Sequence, residues 1–158
     1  MSLDQTKTTQ SLVKGLVAGA VGGLVATAAK SLGEKLYPPR IHGEPEPPEV
    51  VAEKVAGHSL DDDTKAIASE SIHWVFGVTA GAFYGVLAEL YPAVTAKSGA
   101  TFGLTLMSLT HEGALPAFGL SEPPQDQSFR EKTSESATHV LYGVVTEKVR
   151  ALVRRALD

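Results

Sequence analysis

From Leu12 to Leu32 the chain runs for about 20 residues on Leu, Val, Ala and Gly, and its only charged members are Lys14 and Lys30 near the two ends. At about 1.5 Å per residue, a helix over this stretch reaches roughly 30 Å, the thickness of bilayer hydrocarbon. Gly15, Gly19 and Gly23 recur every fourth residue and form a bare ridge on one face, which lets a second helix backbone come close. In a soluble helix interior each glycine costs about 1 kcal/mol relative to alanine. The run therefore reads as a membrane span, with Lys14 and Lys30 extending toward headgroups. It is too long for the apolar region of a cleaved signal peptide and is expected to be retained.

At 158 residues the chain is one domain by size. Its formal net charge of −4 lacks the basic face of a nucleic-acid binder. No cysteine is present, which excludes disulfides, thiolate catalysis and Cys-ligated metal. The glycine run lacks the Lys-Ser/Thr ending of a phosphate loop, and His111-Glu112 has Leu115 where a zincin needs its second histidine. An enzyme is not expected.

Three further helical segments are predicted. Pro38 and Pro39 end the first and open a proline-rich connection to Pro48, in which Arg40 reads as a surface residue. Glu49 to Ala56 suits a short amphipathic helix stopped by Gly57, and Asp61, Asp62 and Asp63 supply negative charge for the next helix start. Segment two covers about Thr64 to Tyr91, with Glu70, His73, Gly77, Ala80, Gly81, Tyr84 and Ala88 on one face. Segment three, about Thr95 to Ala114, carries Thr101, Thr105, Ser108 and Glu112 as a polar stripe expected to face a bundle interior. A second proline-rich connection follows, and segment four, about Phe129 to Leu157, ends in a basic cluster. The expected fold is all-α: a single four-helix transmembrane bundle over residues 1–158.

Two cassettes suggest an internal duplication: Glu70-Ser71-Ile72-His73 through Gly77, and Glu135-Ser136-Ala137-Thr138-His139 through Gly143. They pair His73 with His139, Phe76 with Tyr142 and Gly77 with Gly143. The repeats would be about 11–92 and 95–157, each a helix, proline-rich loop and helix, in one orientation. Gly15, Gly19, Gly23, Gly77 and Gly143 are the expected packing glycines. With alternating helix directions, His73, His111, His139, Glu112, Glu70 and Glu135 gather at one end. Glu89 and Glu147 fall at the other, within reach of Lys97 and the C-terminal arginines.

Ionisable groups beside apolar spans usually mark a site. Three histidines among carboxylates suit pH sensing or proton transfer, with inward relay along the Thr101–Ser108 stripe. Alternatives are a non-enzymatic accessory subunit of a larger membrane complex and a metal- or haem-binding bundle. Glu70-x-x-His73 has the spacing of di-iron bundles, with Glu112 and His139 as further candidate ligands. No cofactor is required by the first reading, and divalent metal or haem belongs to the last. The expected partners are the lipid bilayer and a second copy or larger membrane complex, with no nucleic acid.

Lys14-Gly15-Leu16-Val17-Ala18-Gly19, Glu34-Lys35-Leu36-Tyr37-Pro38-Pro39-Arg40, Tyr84-Gly85 through Glu89, His111-Glu112 through Leu115-Pro116, and Ser134-Glu135 through His139 to Tyr142-Gly143 together resemble the YagU-like bacterial inner-membrane proteins. That resemblance covers nearly the whole chain. It implies a multi-pass protein of the bacterial cytoplasmic membrane, with a link to acid resistance and no catalytic residues to carry over.

Overall fold

The computed structural model describes residues 3–40 and 44–158, with side chains from residue 8 onward. Residues 41–43 of the first proline-rich connection lie outside the described residues. All regular structure among the described residues is helical. Helix α1 spans Leu3–Leu36, α2 Pro47–Ala56 and α3 Asp62–Leu90. A 3-10 bridge over Pro92–Gly99 leads into α4, Ala100–Leu109. A π-helical turn, Thr110–Ala114, and one last turn, α5 (Leu115–Ala117), continue that rod, and α6 spans Phe129–Ala156.

The boundaries follow local chemistry. Pro47 and Pro48 open α2 two residues earlier than the valine pattern predicted, and Gly57 closes it in the left-handed region at φ 75°. Asp61 caps α3 by accepting from the Thr64 N–H at 3.0 Å, and that bond holds its carboxyl below the usual carboxylate range. Segment three starts later than predicted. Lys97, Ser98 and Gly99 all take positive φ, so the regular helix begins only at Ala100.

Helix α1 packs against both α3 and α6, and α4 packs against α6. The α1–α3 contact is glycine on glycine. A Cβ on Gly19 would run into the Gly81 carbonyl and Gly85, one on Gly23 into Gly77 and Gly81, and one on Gly85 into Gly15. Gly81 and Gly85 thus complete the ridge opposite Gly15, Gly19 and Gly23. Backbones this close maximise dispersion contact between the two helices. Gly103 and Gly143 make the same kind of crossing between α4 and α6.

That crossing decides which way α4 faces. Gly103 and Met107 turn inward, so Thr105, Ser108 and Glu112 lie exposed on the outside. The stripe expected to line an interior is therefore an outer stripe, because the smallest residue takes the side nearest the α6 backbone.

The burial pattern is inverted relative to a water-soluble core. Among the described residues, the buried apolar side chains are alanines, Met107, Tyr84 and Tyr142, with no Leu, Ile, Val or Phe. The buried set instead includes Lys30, Glu135, His139 and Arg150, while Leu16, Leu24, Val75, Phe83 and Leu109 are exposed. Helices α1 (over Thr8–Leu36) and α3 are each long and apolar enough to cross a membrane.

At the end away from the proline-rich connections, charges pair as the sequence anticipated. Arg154 reaches Glu89 at 2.8 Å and Arg150 reaches Glu147 at 2.7 Å. Tyr84 donates to the same Glu147 at 2.9 Å and stacks on Phe102 of α4. Lys97 instead occupies the positive-φ bridge.

Candidate functional site

The end of α1 is clamped to the start of α6. Ser134 donates to the Tyr37 carbonyl at 2.5 Å, Arg130 donates to the Pro38 carbonyl at 2.8 Å, and its guanidinium lies over the Tyr37 ring. Because Pro38 and Pro39 stop the helix here, the chain turns across α6 and delivers Arg40 to Glu131, 2.7 Å away. Arg40 is therefore not the surface residue expected from its loop position; its side chain is only 11% exposed.

Glu135 is the hub. Its Oε1 faces Arg40 at 3.8 Å. Its Oε2 faces Lys30 at 3.4 Å, His139 Nδ1 at 3.4 Å and His111 Nε2 at 3.5 Å. Lys30 also pairs closely with Glu34, one turn on. It is buried in this network and does not extend to headgroups, because Thr27, Lys30 and Glu34 share the inward face that Gly23 opens. A buried carboxylate is tolerated only when paired, and four basic groups converge on this one.

The histidines arrive by different routes. His139 Nδ1 lies 2.8 Å from the Glu135 backbone carbonyl, and since a carbonyl only accepts, that nitrogen carries the proton. His111 sits on the π-helical turn. Pro116 has no N–H to return to the carbonyl four residues earlier, and Leu115 reaches back five residues to Thr110. The widened turn leaves His111 against Glu135, with its ring edge-to-face on His139 at 5.0 Å, and leaves Glu112 outside. His73 Nε2 meets Ser31 Oγ of α1 at 3.3 Å.

These groups border one cavity of about 300 Å³, a volume at the lower end of small-molecule sites. Glu46, Pro47 and Val51 of α2 and its lead-in wall one side, and Ile72, Phe76 and Leu106 supply apolar surface. Lys54 donates to the Phe118 carbonyl at 2.8 Å and Glu53 pairs with Lys65 at 2.9 Å, which ties α2 to both neighbouring segments.

Of the residues singled out in sequence, His73, His111, His139 and Glu135 line this cavity together. Glu70 does not; it is exposed and accepts from the Trp74 indole at 3.0 Å. Glu112 is exposed as well. The proposed ligand set Glu70, His73, Glu112 and His139 is therefore not assembled. A histidine–carboxylate grouping does form, from His111, Glu135 and His139. Within the cassettes Phe76 is half exposed while Tyr142 is buried and donates to the Gly77 carbonyl at 2.5 Å. Sequence reasoning missed Lys30, Arg40 and Glu46. Lys30 was legible, since it falls on the face of Gly23 and Thr27; Arg40 was not, because its place depends on the α1–α6 clamp.

Neither a curated protein nor a solved structure matches this chain. One family does, over residues 24–148, from the middle of α1 to the last third of α6, and so takes in every cavity residue named above. The chain belongs to that family, described as a protein of unknown function, DUF1440.

Proposed function

We propose that this is a multi-pass protein of a bacterial cytoplasmic membrane in which α1, α3, the α4–α5 rod and α6 each cross the bilayer. Its buried ionic cavity responds to pH. The observation that carries the reading is the inverted burial: charged side chains inside, Leu, Val and Phe outside. Lipid solvates that outer surface, and an interior sealed from lipid is where spans keep their ionisable groups. The paired glycine crossings, α1 with α3 and α4 with α6, support two tandem helix–loop–helix repeats. The YagU-like resemblance and its acid-resistance link fit the same picture.

His73 is the titrating group. It lies on the cavity wall with neutral Ser31 as its hydrogen-bond partner. It shares the cavity with Lys30 and Glu34 of α1, Arg40, Glu46, His111, and Glu135 and His139 of α6, with Glu70 on its own helix outside. Protonation places a positive charge beside the Lys30–Glu34 and Lys30–Glu135 pairs, so these carboxylates gain a second cationic partner and the local arrangement changes. The chain has one tryptophan, Trp74, next to His73, which makes it a built-in reporter. In detergent or nanodiscs, Trp74 emission is expected to change with a midpoint between about pH 5 and 8, and the change is lost in His73→Gln but kept in Glu70→Gln. An unchanged titration in His73→Gln rejects this reading.

A second reading, an accessory subunit docked to another membrane protein or copy, draws on the exposed Thr105, Ser108 and Glu112 of α4. Hydroxyls and a carboxyl on a lipid-side face gain from a neighbouring helix. Co-purification of a stoichiometric partner after gentle solubilisation, lost in Thr105→Leu with Ser108→Leu, tests it.

A further inference from the structure

We propose that His111, Glu135 and His139 bind a divalent first-row transition-metal ion at the wall of the cavity. The proposal rests on the membrane reading for its setting, but its chemistry comes from three side chains. Glu135 Oε2 stands 3.4 Å from His139 Nδ1 and 3.5 Å from His111 Nε2. Ligand atoms about 2.0–2.1 Å from a tetrahedral ion lie about 3.3 Å apart, so two edges of the ligand triangle are already in place. One donor atom from each of the three residues lies within 4.8 Å of the others, so the third edge, between the two rings, is the one that must close on uptake. Two imidazoles and one carboxylate, with no thiolate in the chain, select zinc or iron(II) over softer ions.

The surroundings fit a cation. Facing or adjoining the site are Glu34, Glu46, Glu131 and Glu135 against Lys30 and Arg40, so two formal negative charges remain when the histidines are neutral. A divalent ion cancels that excess. Lys30 is the obvious competitor for Oε2, but it is already closely paired with Glu34 and can stay there. Arg40 lies on the other carboxylate oxygen, where it orients the ligand as an outer partner does. The cavity offers the open coordination position, and His111 rides on a π-helical turn, a distortion frequent at functional sites. Coordination through His139 Nδ1 breaks its hydrogen bond to the Glu135 carbonyl and moves the ring proton to Nε2, so the imidazole stays neutral as it ligates.

The test uses full-length protein purified in detergent, stripped with chelator and titrated with Co²⁺ and Zn²⁺. One Co²⁺ per chain is expected, with absorption of a four- or five-coordinate ion in the visible, displaced by Zn²⁺. His111→Ala and His139→Ala are each expected to weaken Co²⁺ binding by at least about tenfold, while Glu112→Gln and Glu70→Gln bind as the parent does. No Co²⁺ or Zn²⁺ uptake by the folded parent protein overturns the proposal, and that result needs no variant to fold. Equal uptake by His111→Ala with His139→Ala overturns it too. Trp74 pH titration and membrane fractionation read the previous proposal separately, so the two can fail independently.

Discussion

Gly81→Ala tests the packing logic most directly. A Cβ at this position would stand 2.5 Å from Gly23 Cα, 2.6 Å from the Gly19 carbonyl oxygen and 2.7 Å from the Gly23 nitrogen, all backbone atoms that cannot swing away. Ordinary contact begins near 3.4 Å, so α1 and α3 must part by about 0.9 Å at this crossing. A gap of that size forfeits a quarter to a half of each affected contact. Over a few tens of atom pairs worth about 0.1–0.2 kcal/mol each, the loss is about 1–3 kcal/mol. Alanine returns up to about 1 kcal/mol through its better helix propensity. The net expectation is a destabilisation of about 1–2 kcal/mol. Gly33→Ala is the control. There a Cβ would meet only the side-chain ends of Thr138 and Leu141, at 3.3 and 3.5 Å, so the change is expected to be neutral or stabilising by about 0.5–1 kcal/mol. Unfolding by SDS titration from mixed micelles, followed by Trp74 emission and far-ultraviolet circular dichroism, measures both. A Gly81→Ala protein as stable as the parent, or a Gly33→Ala protein hurt more, refutes the claim that glycine–glycine contact holds α1 to α3.

Lys30→Met leaves Glu34 and Glu135 without their shared ammonium and is expected to cost about 3–5 kcal/mol, with part recovered in Lys30→Met/Glu135→Met; the same SDS titration reads both. Tyr84→Phe removes a hydrogen bond to a charged acceptor and is expected to cost about 1.5–3 kcal/mol, whereas Phe83→Leu, an apolar exchange on the exposed face of the same helix, should change stability by less than about 0.5 kcal/mol. Because the chain has no cysteine, single-cysteine variants report topology cleanly. Phe83→Cys and Leu16→Cys should resist a water-soluble maleimide in intact vesicles, and Glu49→Cys on α2 should react from one side; ready labelling at Phe83→Cys would place that face in water.

The spacing of residues determined which helices can exist and which of their faces are narrow. Gly15, Gly19 and Gly23 every fourth residue, Asp61 before a helix start, and Gly57 after a helix end are local signals, because caps, turns and periodic faces depend on neighbours within one turn. Antiparallel helix order also suffices to bring His73, His111, His139 and Glu135 to one end. Rotation about the helix axis was not local. The outward turn of Thr105, Ser108 and Glu112 depends on where Gly103 can touch α6, and the burial of Glu135 but not Glu70 depends on which helix each start packs against. Arg40 and Lys30 entered the cavity only because proline stops α1 exactly where Ser134 and Arg130 can hold its end. Sequence periodicity sets a helix and its stripe; the contact of one backbone with another, several turns away, chooses which stripe is turned outward and which meets charge.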